Sequence, residues 1–421
     1  MRILFFTEIS DPGVGSSVRL MYQHARVLRR EGHEVAVVST VRDANEATET
    51  VIDGTRVFRL HSDYPLRFRA WVSLHNRAID GPLARILEEF RPDVVHAHLV
   101  HTHLGYHALE QAKAAGARVV FTAHDVMVFC YQKLTCFHGG EAAGGRAWDV
   151  TARLSKCIPC QRFRFRPGRN RRIHQVLEQA VDRFLVVSDA LGEVLRANGI
   201  RVDATLHNAI EPLANLPDPA EVLAFRERLG LGDARVMAMG GRLHEQKGVG
   251  KLLEMLALLA PEFPDLKLLV MGKRDIYERE FRPQAQRLGV AERVVSTGWL
   301  DGETLQLAYA AADVFVTPSI CFDTFGLVNL EAMQHQKPVV ATEFGGSKEV
   351  VLDGVTGFIA NPFQVADYAE RLARLLRDPD LRREMGERGY QRLYEFFTIE
   401  HYARACMAQY EAALAGASRP G

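Results

Sequence analysis

Two acidic residues, Asp323 and Glu331, stand eight positions apart in CFDTFGLVNLEAM, residues 321–333. Paired carboxylates can cleave a glycosidic bond when they lie about 5 to 9.5 Å apart. Eight residues of helix span about 12 Å, so this spacing disfavours a hydrolase pair, although a curled loop would shorten it. Gly326, where a loop becomes a helix, allows close approach of a phosphate. Glu331, next to an apolar helix face, needs donors such as the two hydroxyls of a ribose.

A second candidate anion site is GGRLHEQKG, residues 240–248, which follows an apolar run and precedes a helical pattern. Arg242 can bind two oxygens with its planar guanidinium, and Lys247 adds a point charge. Backbone N–H groups at the glycines and at the helix start favour an anion, most plausibly a diphosphate. An ordinary loop with surface cations explains the same residues. The glycine pair in EFGGSKEVVLDGVTGF, 343–358, either adds amides to this site or forms only a tight turn.

Short apolar runs alternate with helical patterns, and the alternation restarts in the second half of the chain. The runs are apolar throughout, as in parallel strands buried on both faces. Two such series predict an α/β fold of two doubly wound domains, with ligands at the carboxyl ends of the strands and the active site in the cleft between the domains. The predicted strands are RILFF (2–6), EVAVVST (34–40), DVVHAH (93–98), RVVFTAHD (118–125), RFLVVSD (183–189), ARVMAMGGRL (234–243), LKLLVMG (266–272), RVVSTG (293–298), DVFVTPS (313–319) and PVVATEFGG (338–346).

The predicted boundaries follow a proline-rich join at residues 206–222. We place the N-terminal domain at 1–207, the second domain at 208–398, and a C-terminal helix in 399–421 that packs back on the first domain. A cysteine-rich insertion occupies 126–172 of the N-terminal domain.

Composition excludes several classes of protein. The 421 residues contain 52 basic and 52 acidic side chains, so no global field favours nucleic acid. The N-terminal segment lacks the features of a signal peptide, and no apolar run reaches the length of a membrane span. We therefore expect a cytoplasmic protein whose six cysteines begin as thiols.

These segments, in this order, resemble the retaining, nucleotide-sugar-dependent glycosyltransferases of family four, the group 1 type with the GT-B fold. GGRLHEQKG is similar to that family's G-R-L…K-G segment, and DTFGLVNLEAM to its E-x7-E motif. EFGGSKEVVLDGVTGF is similar to its glycine-rich third segment. SDPGVGSS (10–17) together with RREGHEV resembles its N-terminal opening. The resemblance covers nearly the whole chain and is strongest in residues 234–360.

The resemblance implies a role for each matching residue. Arg242 and Lys247 would hold the donor diphosphate and stabilise its leaving charge, and Glu331 would bind the ribose. Asp323 would contact the hydroxyls of the donor sugar, and His124 would lie near the reacting sugar. The other implied donor-binding residues are Gly13, Gly15, Gly241, Thr324, Phe325, Gly326 and Leu327. The acceptor would attack from the face that the diphosphate leaves, so neither a protein base nor a catalytic metal is implied.

The implied function is transfer of a sugar from a nucleoside diphosphate to a sugar or lipid-linked acceptor, in envelope polysaccharide or glycolipid synthesis. Two residues depart from the pattern. Asp323 stands where the family usually has the longer glutamate, and Gly13-Val14-Gly15 replaces an adjacent glycine pair. A catalytically silent homologue that binds sugars or a partner, and a nucleotide-sugar epimerase or hydrolase, are the alternatives. The base, the sugar, the acceptor and the oligomeric state are left open.

Four of the six cysteines, Cys130, Cys136, Cys157 and Cys160, lie within 31 residues. The C-x2-C pair suits two ligands on one turn, and a second pair can complete a tetrahedral zinc site. We predict structural zinc that stabilises an acceptor-side loop. An iron–sulfur cluster, a redox disulfide and four unlinked thiols are the alternatives.

Histidines recur in HAHLVHTH, residues 96–103. Strand alternation puts His96 and His98 on one face, but the spacing supplies no further ligands for a metal. We interpret them as histidines at a loop end near a substrate, with a second metal site as the alternative.

RFRFRPGRNRR, residues 162–172, carries six arginines and no acidic residue. A solvated basic loop is the common meaning of such a run. Interleaved Phe163 and Phe165 favour docking on an anionic membrane surface or a lipid diphosphate, so peripheral attachment to the inner face of the membrane is a hypothesis. RNA binding is a further alternative that no other segment supports.

Overall fold

A computed structural model describes residues 1–46, 48–137 and 149–416. The chain divides into two compact units. Unit 1 comprises Met1–Leu134, Val150–Ala209 and Ile399–Gly421, and unit 2 comprises Thr135–Asp149 and Ile210–Thr398.

The strands are short and mostly buried, as their continuous apolar sequences require. Those of unit 1 are β1 (Arg2–Phe6), β2 (Glu34–Val41), β3 (Glu49–Ile52), β4 (Thr55–His61), β5 (Val94–Ala97), β6 (Arg118–Ala123), β7 (Arg183–Val186) and β8 (Ala204–Thr205). Those of unit 2 are β9 (Val236–Gly240), β10 (Lys267–Met271), β11 (Val294–Ser296), β12 (Val314–Thr317), β13 (Val339–Thr342) and β14 (Gly357–Ala360).

Helices follow most strands, as expected for parallel pairing through crossovers. They are α1 (Ser16–Arg30), α2 (Arg69–Val72), α3 (Asp80–Phe90), α4 (His107–Ala114), α5 (Leu154–Gln161), α6 (Arg169–Ala180), α7 (Asp189–Ala197), α8 (Pro219–Arg228), α9 (Val249–Leu259), α10 (Arg274–Ile276), α11 (Arg282–Arg287), α12 (Gly302–Ala310), α13 (Leu327–Gln334), α14 (Ser347–Val350), α15 (Val365–Arg377), α16 (Pro379–Phe396) and α17 (Ile399–Ala415).

In the described part of unit 1, eight strands form one sheet in the order β3-β4-β2-β1-β5-β6-β7-β8. All pairs are parallel except β3 with β4, which is antiparallel at the edge. The strand order reverses between β1 and β5, where Ile3 pairs with both Val35 and Val94. Loops diverge at such a reversal and leave a crevice at the carboxyl ends of the two strands.

In the described part of unit 2, six strands form a parallel sheet in the order β11-β10-β9-β12-β13-β14. Here the order reverses between β9 and β12, where Ala238 pairs with Phe315. The loops from β9 to α9 and from β12 to α13 leave this point. They contain the residues that the sequence singles out as an anion site, so the topology brings the two segments together.

The division of the cysteine-rich insertion differs from the sequence-based boundaries, whereas the grouping of the C-terminal helix does not. The described residues of Thr135–Asp149 group with unit 2 because the buried Phe137 ring contacts Phe322 and Phe344, with centroids 6.1 and 5.2 Å away. The helix α17 groups with unit 1, where Tyr402, Cys406 and Tyr410 enter its hydrophobic core. Apolar side chains on α17 thus bury against unit 1 although the chain has passed through all of unit 2.

Within the described residues, no helix combines the length and the apolar character that crossing a membrane requires.

Candidate functional site

In unit 2, Lys247 and Asp323 form an ion pair at the point where the strand order reverses. The Lys247 ammonium lies 3.0 Å from Oδ2 of Asp323, and the Ser319 hydroxyl donates to the same oxygen over 3.2 Å. The side chain of Asp323 is 10% exposed and that of Lys247 is 43% exposed. The cation therefore faces outward while its partner is buried beneath it.

Charge keeps both members of this pair ionised. Burial alone would raise the pKa of Asp323, but the Lys247 charge and hydrogen bonds from Lys247, Ser319 and the Phe325 amide hold it below its usual range. Burial, the largest single influence, would lower the pKa of Lys247, but the Asp323 charge, Cys321 and the hydrogen bond to Asp323 together outweigh it and raise the pKa. The exposed Arg242 opposes this rise, so a second positive charge acts on the same place. Two cations at one sheet edge suit an anionic ligand.

A short 3₁₀ turn and a glycine determine the conformation of the loop that carries Lys247. Lys247 ends a short 3₁₀ turn, Glu245–Lys247, and Gly248 follows with φ of 75°. The amide of Gly241 was expected to bind a ligand, but this N–H donates to the carbonyl of Met271 over 2.9 Å. Its φ of 108° shows that glycine serves the turn after β9 instead.

The helix α13 points its amino end into the same loop region. It begins at Leu327 after Gly326, whose φ is 81°, and no described side chain caps it. Its first N–H groups are therefore available to an anion. Thr324 and Phe325 lie in the loop before it, and the Phe325 amide already bonds Asp323. Phe325, Gly326 and Leu327 are all implied donor-binding residues, and the amides of Gly326 and Leu327 fit that role better than the amide of Phe325.

Two polar residues at this helix start were missed by the sequence reasoning. An added Cβ at Gly326 would lie 2.6 Å from Nδ2 of Asn329 and 3.0 Å from the hydroxyl of Ser347. Both atoms are buried and have no hydrogen-bond partner among the described residues. Buried donors of this kind need an acceptor, which an anionic ligand above Gly326 would supply. Asn329 lies inside the motif itself, three residues after the glycine, which is the signal that could have found it.

Glu331 projects from the second turn of α13 and is held by a tyrosine. Its Oε2 accepts a hydrogen bond of 2.6 Å from the hydroxyl of Tyr309, a buried residue of α12. The Tyr309 ring packs between Phe315 and His335, with centroids 5.1 and 5.5 Å away. This packing fixes the carboxylate. No sequence motif predicts the role of Tyr309, because α12 and α13 meet only in the folded unit.

The glycine pair at 345–346 supports Asp323, and the Gly346 amide is used within the protein. Gly346 N–H donates to the carbonyl of Asp323 over 2.8 Å, and Asp323 N–H donates to Phe344 over 3.1 Å. An added Cβ at Gly345 would lie 2.0 Å from the Asp323 carbonyl oxygen. Glycine is therefore required for the close approach of two backbone segments.

In unit 1, Gly13 and Gly15 lie in the loop between β1 and α1. The Gly13 amide donates to Oδ1 of Asp11 over 2.8 Å, and Gly15 is the residue before α1 with φ of −156°. Neither has the positive φ that requires glycine. As no described side chain caps α1, this loop leaves the N–H groups of a second helix available to an anion.

His124 lies just after β6 and pairs with His98, which follows β5. Nε2 of His124 is 2.9 Å from Nδ1 of His98. Burial lowers the pKa of His124 to about 4, against the opposing charge of Asp125, so the ring is neutral at pH 7. A neutral imidazole at a sheet edge can donate or accept a hydrogen bond but cannot supply a positive charge.

The other histidines of the run have separate structural partners. His96 lies inside β5 and is fully buried, so its interpretation as a loop-end histidine is wrong. The alternation itself is correct, since the His96 and His98 rings are 4.1 Å apart. Nδ1 of His101 bonds the Tyr106 hydroxyl, and that of His103 bonds the Ser62 hydroxyl.

Glu8, which was not among the predicted site residues, follows β1 at the same edge of the sheet. Its carboxylate accepts a hydrogen bond from the backbone amide of Thr102. Burial raises the pKa of Glu8 to about 7, although the Thr102 hydrogen bond acts to lower it. Glu8 therefore titrates near neutral pH among the loops that follow β1 and β5.

The pH dependence of stability should reflect the raised pKa of Glu8. The folded protein holds the Glu8 proton up to about pH 7, whereas the unfolded chain releases it near the ordinary pKa of 4.5. Wild-type stability should therefore fall, relative to Glu8→Gln, as pH rises from 4.5 to 7, by at most about 3 kcal/mol. Urea unfolding of both proteins across this range measures the difference. Glu31→Gln, at an exposed position, is the control, and parallel curves for wild type and Glu8→Gln would contradict the prediction.

The four cysteines are present as thiols, two of them exposed and two half-buried. Cys130 Sγ accepts backbone N–H groups from Gln132 and Leu134 over 3.4 and 3.1 Å, an environment that also suits a thiolate ligand. Among the described residues, none of the four belongs to a group of three metal-binding side chains within 4.8 Å of one another. Residues 138–148, between the two pairs, lie outside the described part of the chain. Structural zinc at these cysteines stays a prediction.

The arginine run is divided between structural and exposed residues. Arg166 donates to the Trp71 carbonyl, Arg169 to that of Met127, and Arg172 to the Glu110 carboxylate. These three fix the segment to unit 1. The exposed remainder consists of Arg162, Arg164 and Arg171, together with Phe163, which is 98% exposed. Any anionic surface would meet this smaller group, and membrane docking stays a prediction.

Two family profiles match the chain in succession. The profile described as Glycosyltransferase Family 4 matches residues 17–212, and the profile described as Glycosyl transferases group 1 matches residues 223–392. The second range contains all the unit 2 site residues described above.

Curated relatives extend the same similarity. The sulfoquinovosyl transferase of Arabidopsis thaliana is 29% identical over 397 residues, which cover 92% of this chain and 69% of that protein. A GDP-mannose-dependent phosphatidylinositol monomannoside mannosyltransferase of Mycolicibacterium smegmatis is 37% identical over 179 residues, covering 41% of this chain and 47% of its own.

Solved structures share the architecture at low identity. Sucrose-phosphate synthase of Thermosynechococcus elongatus superposes with a TM-score of 0.75 at 20% identity, covering 99% of this chain and all of that one. Anabaena HepE in complex with UDP and glucose gives 0.73 at 18% identity, covering 98% and 100%. The two doubly wound sheets, the ordered motifs and these similarities lead to one conclusion: the chain belongs to the group 1 glycosyltransferases and has the GT-B fold.

Proposed function

We propose that this glycosyltransferase moves a sugar, with retention of anomeric configuration, from a nucleoside diphosphate to a sugar or lipid-linked acceptor. The observation that carries the proposal is the Lys247–Asp323 pair beside the uncapped start of α13. Lys247, Arg242 and the first N–H groups of α13 supply positive potential around one point. A departing diphosphate is the charge that such a site would stabilise.

The proposed reaction needs little chemistry from side chains. The bond between the sugar's anomeric carbon and the diphosphate oxygen breaks through an oxocarbenium-like state, and the acceptor oxygen bonds to that carbon from the same face. The acceptor's proton passes to the leaving phosphate. Lys247 and Arg242 stabilise the negative charge that builds up, and Asp323 holds Lys247 in position.

Glu331 is proposed to bind the ribose of the donor. A carboxylate can accept hydrogen bonds from both hydroxyls of a diol. The Tyr309 hydroxyl holds this carboxylate, and the Asn329 amide and Ser347 hydroxyl are placed to donate to a phosphate near Gly326. On the other unit, neutral His124 offers a hydrogen bond to a sugar hydroxyl. Synthesis of envelope polysaccharide or glycolipid is the proposed setting.

A panel of UDP-, GDP- and ADP-sugars tests the function. The donor should raise the apparent melting temperature, since a ligand that binds only the folded state stabilises it by mass action. UDP-glucose has a place in the panel because HepE has been solved in complex with it. NMR of the product formed with an acceptor determines the anomeric configuration, and inversion would refute retention. Turnover of donor alone to an epimer or free sugar would favour an epimerase or hydrolase, and a panel without binding would refute the proposal.

Removal of the Tyr309 hydroxyl tests the role of Glu331. Tyr309→Phe keeps the packed ring but frees the carboxylate, and loss of a hydrogen bond to a charged group should weaken binding of the panel's donor about tenfold. Tyr277→Phe is a matched control in the same unit, because that buried hydroxyl has no partner among the described residues. Isothermal titration measures both. Unchanged donor affinity in Tyr309→Phe would contradict the ribose assignment.

A further inference from the structure

Two histidines and a cysteine from distant parts of the sequence meet in the core of unit 1. His24 lies on α1, His96 in β5 and Cys406 on α17. Each offers one ligand atom, and the three atoms lie within 4.8 Å of one another. All three side chains are fully buried. The cluster is thus enclosed within one unit and separate from the sheet edge where the proposed reaction takes place.

The distance between Cys406 and His96 is close to that between two ligands of one metal ion. Sγ of Cys406 is 3.7 Å from Nδ1 of His96. A tetrahedral zinc ion with bonds of about 2.3 Å to sulfur and about 2.0 Å to nitrogen separates those two atoms by about 3.5 Å. The pair is too far apart for a strong hydrogen bond and already placed for coordination.

The second nitrogen of His96 has a hydrogen-bond partner of its own. Nε2 lies 2.8 Å from the Thr122 hydroxyl. With Nε2 donating to that oxygen, Nδ1 carries the lone pair, and Nδ1 is the nitrogen that faces Cys406. The hydroxyl of Tyr410 is 2.7 Å from the same Nδ1, a hydrogen-bond separation that would lengthen to about 3.3 Å if this oxygen became the fourth ligand of a tetrahedral ion.

His24 is the member of the cluster whose burial has no explanation in its hydrogen bonds. Both of its ring nitrogens are buried without a hydrogen-bond partner among the described residues. Its neighbours are aromatic: the rings of Phe5, Tyr402 and Tyr410 have centroids 5.6, 5.1 and 6.2 Å away. Unpaired buried imidazole nitrogens are costly, and buried polar atoms of this kind need a partner such as a water or an ion.

We propose that His24, His96 and Cys406 bind one Zn²⁺ ion in the core of unit 1, with a tyrosine hydroxyl as the fourth ligand. Imidazole and thiolate ligands in a closed tetrahedral set suit structural zinc. On binding, the Cys406 thiol loses its proton to solvent, a Zn–S bond forms, and both imidazoles coordinate in their neutral form. The ion would tie α17, the last helix, to α1 and to the middle of the sheet.

Metal analysis of the full chain tests this site separately from the one predicted at the four cysteines. The parent protein carries Cys157→Ser and Cys160→Ser, so that zinc at that segment does not contribute. We expect one zinc per chain in this parent and none after His24→Phe, which keeps a ring in an aromatic surrounding. Cys321→Ala in the same parent is the control and should retain the metal. A chelator should lower the melting temperature of the parent and not that of His24→Phe.

Cobalt supplies a readout that does not depend on the histidine variant folding. Co²⁺ in the parent should give the sulfur-to-metal charge-transfer absorption of a thiolate ligand, and Cys406→Ala should abolish it. A parent without zinc that shows no such absorption would overturn the proposal and leave a buried water as the partner of His24. Zinc retained by His24→Phe, or copper found in place of zinc, would overturn it as well.

Discussion

Replacing Lys247 by alanine is expected to lower the turnover of the donor about 10²- to 10³-fold. Fixed positive charges at a developing negative charge contribute on this scale, and here the charge is the departing diphosphate. The effect should fall on kcat more than on KM, because the leaving group gains charge only in the transition state. Release of nucleoside diphosphate from the donor identified by the panel measures it. The variant also leaves Asp323 buried beside Ser319 without its cation.

Lys251→Ala is the matched control for this prediction. Lys251 lies one helical turn further along the chain, and its ammonium bonds Glu254 of the same helix over 3.1 Å. Its loss should leave kcat within about twofold of wild type, since a single ion pair between neighbouring turns of a helix contributes little. If Lys247→Ala kept kcat within threefold of wild type, the assignment of the diphosphate to this loop would be wrong.

Gly345→Ala is expected to destabilise unit 2 by about 3 kcal/mol and to abolish donor binding. The φ of 95° strains any residue with a Cβ, at a cost of about 1–2 kcal/mol, and crowding adds a similar amount. The added atom would lie 2.0 Å from the Asp323 carbonyl oxygen and 3.1 Å from its nitrogen. Because both are backbone atoms, the Asp323 segment must move, and its carboxylate then leaves Lys247.

Gly354→Ala separates these two contributions. Gly354 also has a positive φ, 74°, but an added Cβ there has no atom within 4 Å. This variant should be destabilised only by the cost of the backbone conformation, about 1 kcal/mol of unfolding free energy, and should bind the donor normally. Chemical unfolding and donor-induced thermal shifts compare the two variants. Equal losses in both would show that the contact with Asp323 has no role.

Local patterns of sequence predicted the architecture of each unit, and the structure and the comparisons confirm it. Continuous apolar runs such as RILFF can be buried on both faces only in parallel strands, so their repetition specifies doubly wound sheets. The motifs around Lys247 and Glu331 were found because each is contiguous in sequence. The assigned roles of these residues stay predictions that the variants above test.

Long-range contacts decided the details that the motifs leave open. Asp323 has a shorter side chain than the family's usual glutamate, yet it reaches Lys247 because Gly345 lets the two backbone segments approach. The amides of Gly241 and Gly346 are used within the protein, which no glycine pattern reveals. The hydrogen bond from Tyr309 to Glu331 could not be predicted, because Tyr309 lies 22 residues earlier in the chain and on another helix.

The positions of strands and helices, and the loops that follow the strands, can be predicted from local sequence, since they depend on neighbouring residues. The family can be identified in the same way, because its motifs lie in order along the chain. Which distant side chains share one environment is known only from the folded chain. His24, His96 and Cys406 are separated by up to 382 positions and show no common spacing, yet packing of α17 against α1 and the sheet brings them together. Side chains meet across packed elements through burial of apolar faces, and that information is spread over the whole chain.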